Sequence, residues 1–202
     1  MLILWLVASL LLSSVHWPLC RLFVSRDRPR ASRVLVPLGS SILTSVLVNG
    51  EGASTSAARL LLVTTLMALV EIDILVRRLP REISYPAAMI SFLLLGCGRP
   101  EQVWSMIVGA LAPMSVLAIT SWCSRRQLGS GDVRMWPLLG VQLGAESMTT
   151  VVFGFVSSFV VAGIVVIGLV LSGRARRTTT IPFGPFLAAG TMLALCVSPS
   201  IG

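Results

Sequence analysis

The chain alternates long apolar runs with short polar connections, and that pattern predicts its secondary structure throughout. Apolar stretches fall at about 1–20, 34–49, 57–76, 84–98, 103–123, 133–146, 150–172 and 181–199. Several approach the roughly 20 residues that an α-helix needs to cross a bilayer. The runs at 34–49 and 133–146 are short for that purpose. The predicted fold is all-α: a polytopic integral membrane helical bundle of about eight transmembrane helices, forming a single membrane-embedded domain over 1–202.

The connections sort by charge and so orient the bundle. Arg21, Arg26, Arg28, Arg30 and Arg33 follow the first run; Arg77, Arg78 and Arg81 follow the third. Arg125, Arg126 and Arg134 surround the connection from the fifth to the sixth, and Arg174, Arg176 and Arg177 follow the seventh. The alternate connections hold only Arg59 and Arg99, with Glu51, Glu101 and Glu146. All but two of the sixteen arginines therefore lie on one side, which the positive-inside rule assigns to the cytoplasm. Both termini are then expected outside. Treating 133–146 as a re-entrant loop would put the Arg174–Arg177 group on the wrong side, so this short run counts as a span.

Composition agrees with a membrane protein: 55% hydrophobic residues, 12% charged and a mean hydropathy of +0.90. A net charge of +8 in a soluble protein would point to nucleic acid. Here all sixteen Lys-plus-Arg residues are arginines, falling in short clusters between apolar runs, a topological pattern suited to anionic lipid headgroups, and no nucleic-acid partner is expected. Cys20, Cys97, Cys123 and Cys196 form no CxxC pair, so neither a metal nor a disulfide framework is expected and the thiols read as small buried hydrophobes. The first run lacks a basic n-region and is expected to be an uncleaved span. No cofactor is implied, and no oligomeric state.

Candidate chemistry rests on carboxylates. The sequence has three aspartates, and two of them, Asp73 and Asp132, abut apolar segments where a carboxylate is costly and usually functional. Charge bookkeeping puts Asp73 at the cytoplasmic end of the 57–76 run and Asp132 at the cytoplasmic start of the 133–146 run. Two carboxylates on one face can divide the work of amide hydrolysis. One, ionised, takes a proton from the attacking water; the other, protonated, donates to the carbonyl oxygen and then to the departing amine. Close like charges resist double ionisation, so the pair shares a proton. Helix termini assign that proton to Asp73, near a C-terminus, and the anion to Asp132, near an N-terminus. Gly129 and Gly131 offer backbone freedom and room for a substrate chain beside Asp132.

Plainer readings stand beside these. Asp132 has the identity of an N-cap, and Asp73 is spaced to pair with Arg77. Glu71 faces away from Asp73 and reads as a partner for an arginine or a lipid-interface residue. Asp27 and Glu82 read as solvated charges, His16 as a packed residue. Gly154, Gly163 and Gly168 read as small residues that let helices approach closely.

Three segments resemble the type IV prepilin leader peptidase family, which includes archaeal preflagellin peptidases. They are Glu71-Ile72-Asp73-Ile74-Leu75-Val76-Arg77-Arg78-Leu79-Pro80; Gly129-Ser130-Gly131-Asp132-Val133-Arg134, similar to the family GxGD motif and followed by Gly140 and Gly144; and Ile181-Pro182-Phe183-Gly184-Pro185-Phe186-Leu187, similar to the FGP segment that opens its final helix. Together they span 71–187. The resemblance implies that Asp73 and Asp132 are a catalytic aspartyl pair, with Gly129, Gly131 and Arg134 shaping the site. It implies removal of the basic leader of a prepilin-like substrate at the cytoplasmic face of the bacterial plasma (inner) membrane. The larger members' CxxC domain, linked to N-methylation, has no counterpart here, so methyltransferase activity is not expected. Arg134 replaces the family's usual lysine, and Arg81 a frequent asparagine. The 182–185 segment reads as a rigid start to a helix.

Other functions remain open on sequence alone. Presenilin-like proteases also use GxGD, but their Pro-Ala-Leu signature and Tyr-Asp pair are missing. A non-catalytic membrane assembly factor would keep the same scaffold. A small proton-coupled transporter would use both aspartates, although sites near the midplane suit that role better.

Overall fold

The computed structural model describes residues 52–76, 80–123, 130–173 and 182–198. Six α-helices occupy these stretches: α1 (Ala53–Val76), α2 (Arg81–Gly98), α3 (Val103–Cys123), α4 (Ser130–Gly144), α5 (Met148–Leu171) and α6 (Gly184–Val197), with a 3-10 turn at Pro100–Gln102 before α3. No strand occurs among the described residues. The helices coincide with six of the eight apolar runs. The runs at 1–20 and 34–49 lie outside the described residues, as do His16, Cys20 and Asp27.

Helices prevail because apolar surroundings leave backbone groups nothing but one another to bond. Ala53–Asp73, Pro100–Cys123 and Met148–Leu171 are long and apolar enough to cross a membrane. Along α5 an outward stripe of Val152, Val156, Val160, Ile164 and Ile167 is exposed. Such a face suits lipid or another apolar helix.

The short α4 is the hub. It packs most closely on α3, strongly on α2, and also touches α1, α5 and α6. Met135, Trp136, Leu138, Leu139 and Leu143 are fully buried as a result. Its closeness to α3 depends on glycines. A Cβ on Gly144 would lie 2.6 Å from the Ser105 carbonyl oxygen, and one on Gly140 would collide with the backbone of Gly109. Pro113 of α3 has no N–H to offer the carbonyl of Gly109, four residues back. The Trp136 indole of α4 donates to that oxygen instead, at 3.0 Å. The proline that frees the acceptor and the glycines that admit the donor belong to one packing device.

Two expectations about small residues need correction. Gly154 is a contact residue, where a Cβ would lie 2.7 Å from Leu143 Cδ1, but Gly163 and Gly168 have open space around them. They lie on the outward part of α5, where no described helix approaches. Cys97, Cys123 and Cys196 are exposed rather than buried. In a membrane bundle the outer surface is as apolar as the core, so hydrophobicity alone did not separate the two.

Candidate active site

α1 and α4 run antiparallel: the start of α1 meets the end of α4, and both aspartates lie toward the other end. Asp73 lies in the last turn of α1 at 7% exposure, Asp132 in the first turn of α4 at 5%. The Asp132 carboxyl sits within electrostatic range of Asp73. The sequence places them 59 residues apart; the fold brings both into one buried site.

The third contributor is the start of α6. The Gly184 N–H donates to Asp73 Oδ2 at 3.1 Å, joining residues 111 apart. Phe183 precedes the helix, with proline in its first turn, a start that fixes the backbone direction. A Cβ on Gly184 would lie 2.7 Å from Asp73 Oδ2, so glycine here is a requirement of close approach. A row of ring contacts anchors the segment: Trp136 to Phe155 at 5.1 Å, Phe155 to Phe159 at 5.0 Å, and Phe159 to Phe183 at 5.2 Å between centroids. Tight packing on α4 and α5 thus aims one amide at one carboxylate. Sequence reading left 182–185 as a structural helix start without a place near the aspartates; the Phe-Gly-Pro pattern was the signal available for Gly184.

This donor bears on the proton. Helix termini alone assign it to Asp73, but Oδ2 of Asp73 accepts from Gly184 and is an acceptor in this arrangement. Asp132 is the third residue of α4 rather than its N-cap, because the helix starts at Ser130 and not at 133. Gly131 has helical backbone, so the unusual backbone angles expected of it do not occur. Gly129 lies outside the described residues, as does the Arg77 side chain. Arg134 is partly exposed on α4 and acts electrostatically on Glu82. Glu82 is solvent-exposed and paired with Arg81 at 3.3 Å, the solvated charge expected. Glu71 is buried at 9% exposure, which removes the lipid-interface alternative for it.

Between α1 and α6 lies an apolar cavity of about 310 Å³, lined from Val63 to Val70 on one side and from Pro185 to Met192 on the other; neither aspartate lines it. No cluster of His, Cys, Asp and Glu able to hold a metal occurs among the described residues. The chemistry within reach is proton transfer between two carboxyls and a bound water or substrate amide.

Comparison with known proteins bears on this site. A family model described as the Type IV leader peptidase family matches residues 60–171, more than half of the chain, including both aspartates and Arg134. The Prepilin leader peptidase/N-methyltransferase of Aeromonas salmonicida is 29% identical over 187 residues, covering 90% of this chain and 62% of the relative. That of Aeromonas hydrophila is 30% identical over 173 residues, 83% of this chain and 58% of the relative. Leader peptidase HopD of Escherichia coli is 30% identical over 116 residues, 55% of this chain and 74% of the relative. The chain spans about three-fifths of the length of the two Aeromonas proteins. No solved structure matches.

Proposed function

From its membership of the type IV leader peptidase family, to which this chain belongs, we propose that it is a membrane-embedded aspartic endopeptidase that removes leader peptides from prepilin-like proteins. One observation carries the reading: two buried carboxylates from α1 and α4 share a site into which α6 directs a backbone amide.

Asp73 and Asp132 hold one proton between them, because two like charges this poorly solvated do not both ionise. The ionised member takes a proton from water as its oxygen attacks the scissile carbonyl, and the protonated member donates to the carbonyl oxygen. When the C–N bond breaks, the carboxyl that took the water's proton gives it to the departing amine, the hydroxyl of the tetrahedral intermediate returns its proton to the other carboxyl, and the pair is back in its starting state. The Gly184 amide fixes the Asp73 carboxyl so that this exchange needs no side-chain search. Gly129 and Gly131 leave the substrate backbone room beside Asp132. The site faces the cytoplasm, where a basic leader and the connections bearing Arg81 and Arg134 share the membrane surface with anionic lipids. The bacterial inner membrane is the proposed location. The N-methyltransferase activity in the relatives' names is not carried over.

Co-expression with a prepilin, followed by mass measurement of the substrate, tests the proposal. Loss of the leader mass with wild type, and its retention with Asp73→Asn and with Asp132→Asn at equal protein levels, is the expected result. Cleavage by either variant sinks the pair. No cleavage of any prepilin by wild type favours a non-catalytic assembly factor.

A further inference from the structure

At the end of the bundle away from the aspartates, a single carboxylate joins three segments. Glu146 Oε1 lies 2.8 Å from Arg59 Nη2 of α1 and 2.8 Å from Arg99 Nη1, in the turn after α2. Arg99 Nη1 also donates to the Ala145 carbonyl at 3.0 Å. The Arg59 and Glu146 side chains are mostly buried, at 8% and 16% exposure. Nearby, Gln142 Nε2 of α4 donates to the Ala58 carbonyl of α1 at 2.7 Å and to Ser91 Oγ of α2 at 3.2 Å.

These ties coincide with the spacing of the aspartates. Asp73 follows Arg59 by fourteen residues on α1, and Glu146 follows Asp132 by the same fourteen along α4 and its closing turn. At about 1.5 Å per residue both intervals measure roughly 21 Å. In an antiparallel pair, leveling Arg59 with Glu146 therefore levels Asp73 with Asp132. Pro137 lies inside α4 between them, but the helix runs unbroken from Ser130 to Gly144, and the neighbouring Trp136 and Leu138 are fully buried. Glycines seat α4 against α3; between α1 and α4 at this end, directional polar ties stand beside an apolar cluster that includes Ala58, Val141 and Ala145 and that carries no axial direction of its own.

We infer that the Arg59–Glu146–Arg99 clamp sets the axial register of α1 against α4 and thereby holds the two aspartates level. Arg59, Arg99 and Glu146 are positioning residues for a site about four helical turns away. The magnitude is sufficient: a one-residue slip moves a carboxylate about 1.5 Å, and a misplacement of about 1 Å costs on the order of a hundredfold in rate. The inference rests on the aspartyl-pair reading for its functional consequence, but the register is measurable without catalysis.

The experiment uses the full chain with Cys20, Cys97, Cys123 and Cys196 replaced by serine, and carries Asp73→Cys with Asp132→Cys. A short bifunctional thiol reagent reports whether positions 73 and 132 stay level. Glu146→Leu and Arg59→Met are expected to slow cross-linking about tenfold, while Arg59→Lys, which keeps the charge, preserves it. Glu146→Gln keeps the side-chain shape and gives the same readout if the leucine variant does not fold. In the protein with its aspartates intact, Glu146→Gln is expected to lower kcat about tenfold with KM within about twofold, the signature of lost alignment rather than lost binding. Unchanged cross-linking overturns the inference, and so does unchanged kcat in a variant whose cross-linking has slowed. Clamp-dependent cross-linking in a protein that cleaves no prepilin would leave the register intact and remove the peptidase reading instead.

Discussion

At one end of the α1–α4 pair Glu146 lies 2.8 Å from each of two arginines; at the other, two carboxylates, Asp73 and Asp132, occupy one buried site with the Gly184 amide. The first arrangement sets opposite charges against one another and ties segments together. The second places like charges side by side, which costs stability unless one of them keeps a proton. Both ends are built on the same two helices, so helix packing does not explain the difference. In the proposed reading, opposite charges serve the frame, and the paired aspartates serve proton transfer.

The contrast breaks most severely at the aspartates. Asp73→Asn or Asp132→Asn is expected to lower the rate of leader removal about a thousandfold or more, measured by mass spectrometry on purified protein, with the yield of folded protein unchanged. Gly184→Ala should come next. Its methyl group would displace the Asp73 carboxyl, and a loss of about a hundredfold in kcat is expected with normal thermal unfolding.

Glycine substitutions away from the site act on the frame alone. Gly140→Val forces α3 and α4 apart and should destabilise the protein by about 1–3 kcal/mol, read as a lower melting temperature in detergent. Gly163→Ala on the open face of α5 should raise that temperature slightly, because alanine gains up to about 1 kcal/mol of helix propensity over glycine. Arg81→Ala is expected to do least. Its ion pair with Glu82 is 66% and 60% exposed, and no change in melting temperature should be measurable.

The sequence carried the six described helices well, because apolar runs and arginine connections are strong signals over twenty-residue windows. It also put Asp73 and Asp132 on one face, since alternation of charge encodes which helix ends coincide. What it could not carry was lateral order. Hydropathy gave α4 as one of the weakest spans, yet α4 is the hub: a helix surrounded by protein can keep Gln142 and Trp136, whose polar groups find partners on α1, α2 and α3. The glycines of α5 looked alike in sequence, and only the neighbours of Gly154 distinguish it from Gly163 and Gly168. Gly184 was quoted within a motif, but its bond to Asp73 spans 111 residues and has no local signature. The clamp was equally hidden. Arg59, Arg99 and Glu146 were counted for topology, and their convergence depends on how three helix ends meet.

A double-mutant cycle on the aspartates tests the central claim most directly. Single-turnover leader cleavage would be compared for wild type, Asp73→Asn, Asp132→Asn and the double variant in the same bilayer preparation. Two carboxyls acting as one proton-sharing unit predict that each single variant is as inactive as the double. Losses that multiply in the double variant, or a single variant retaining substantial cleavage, would contradict it.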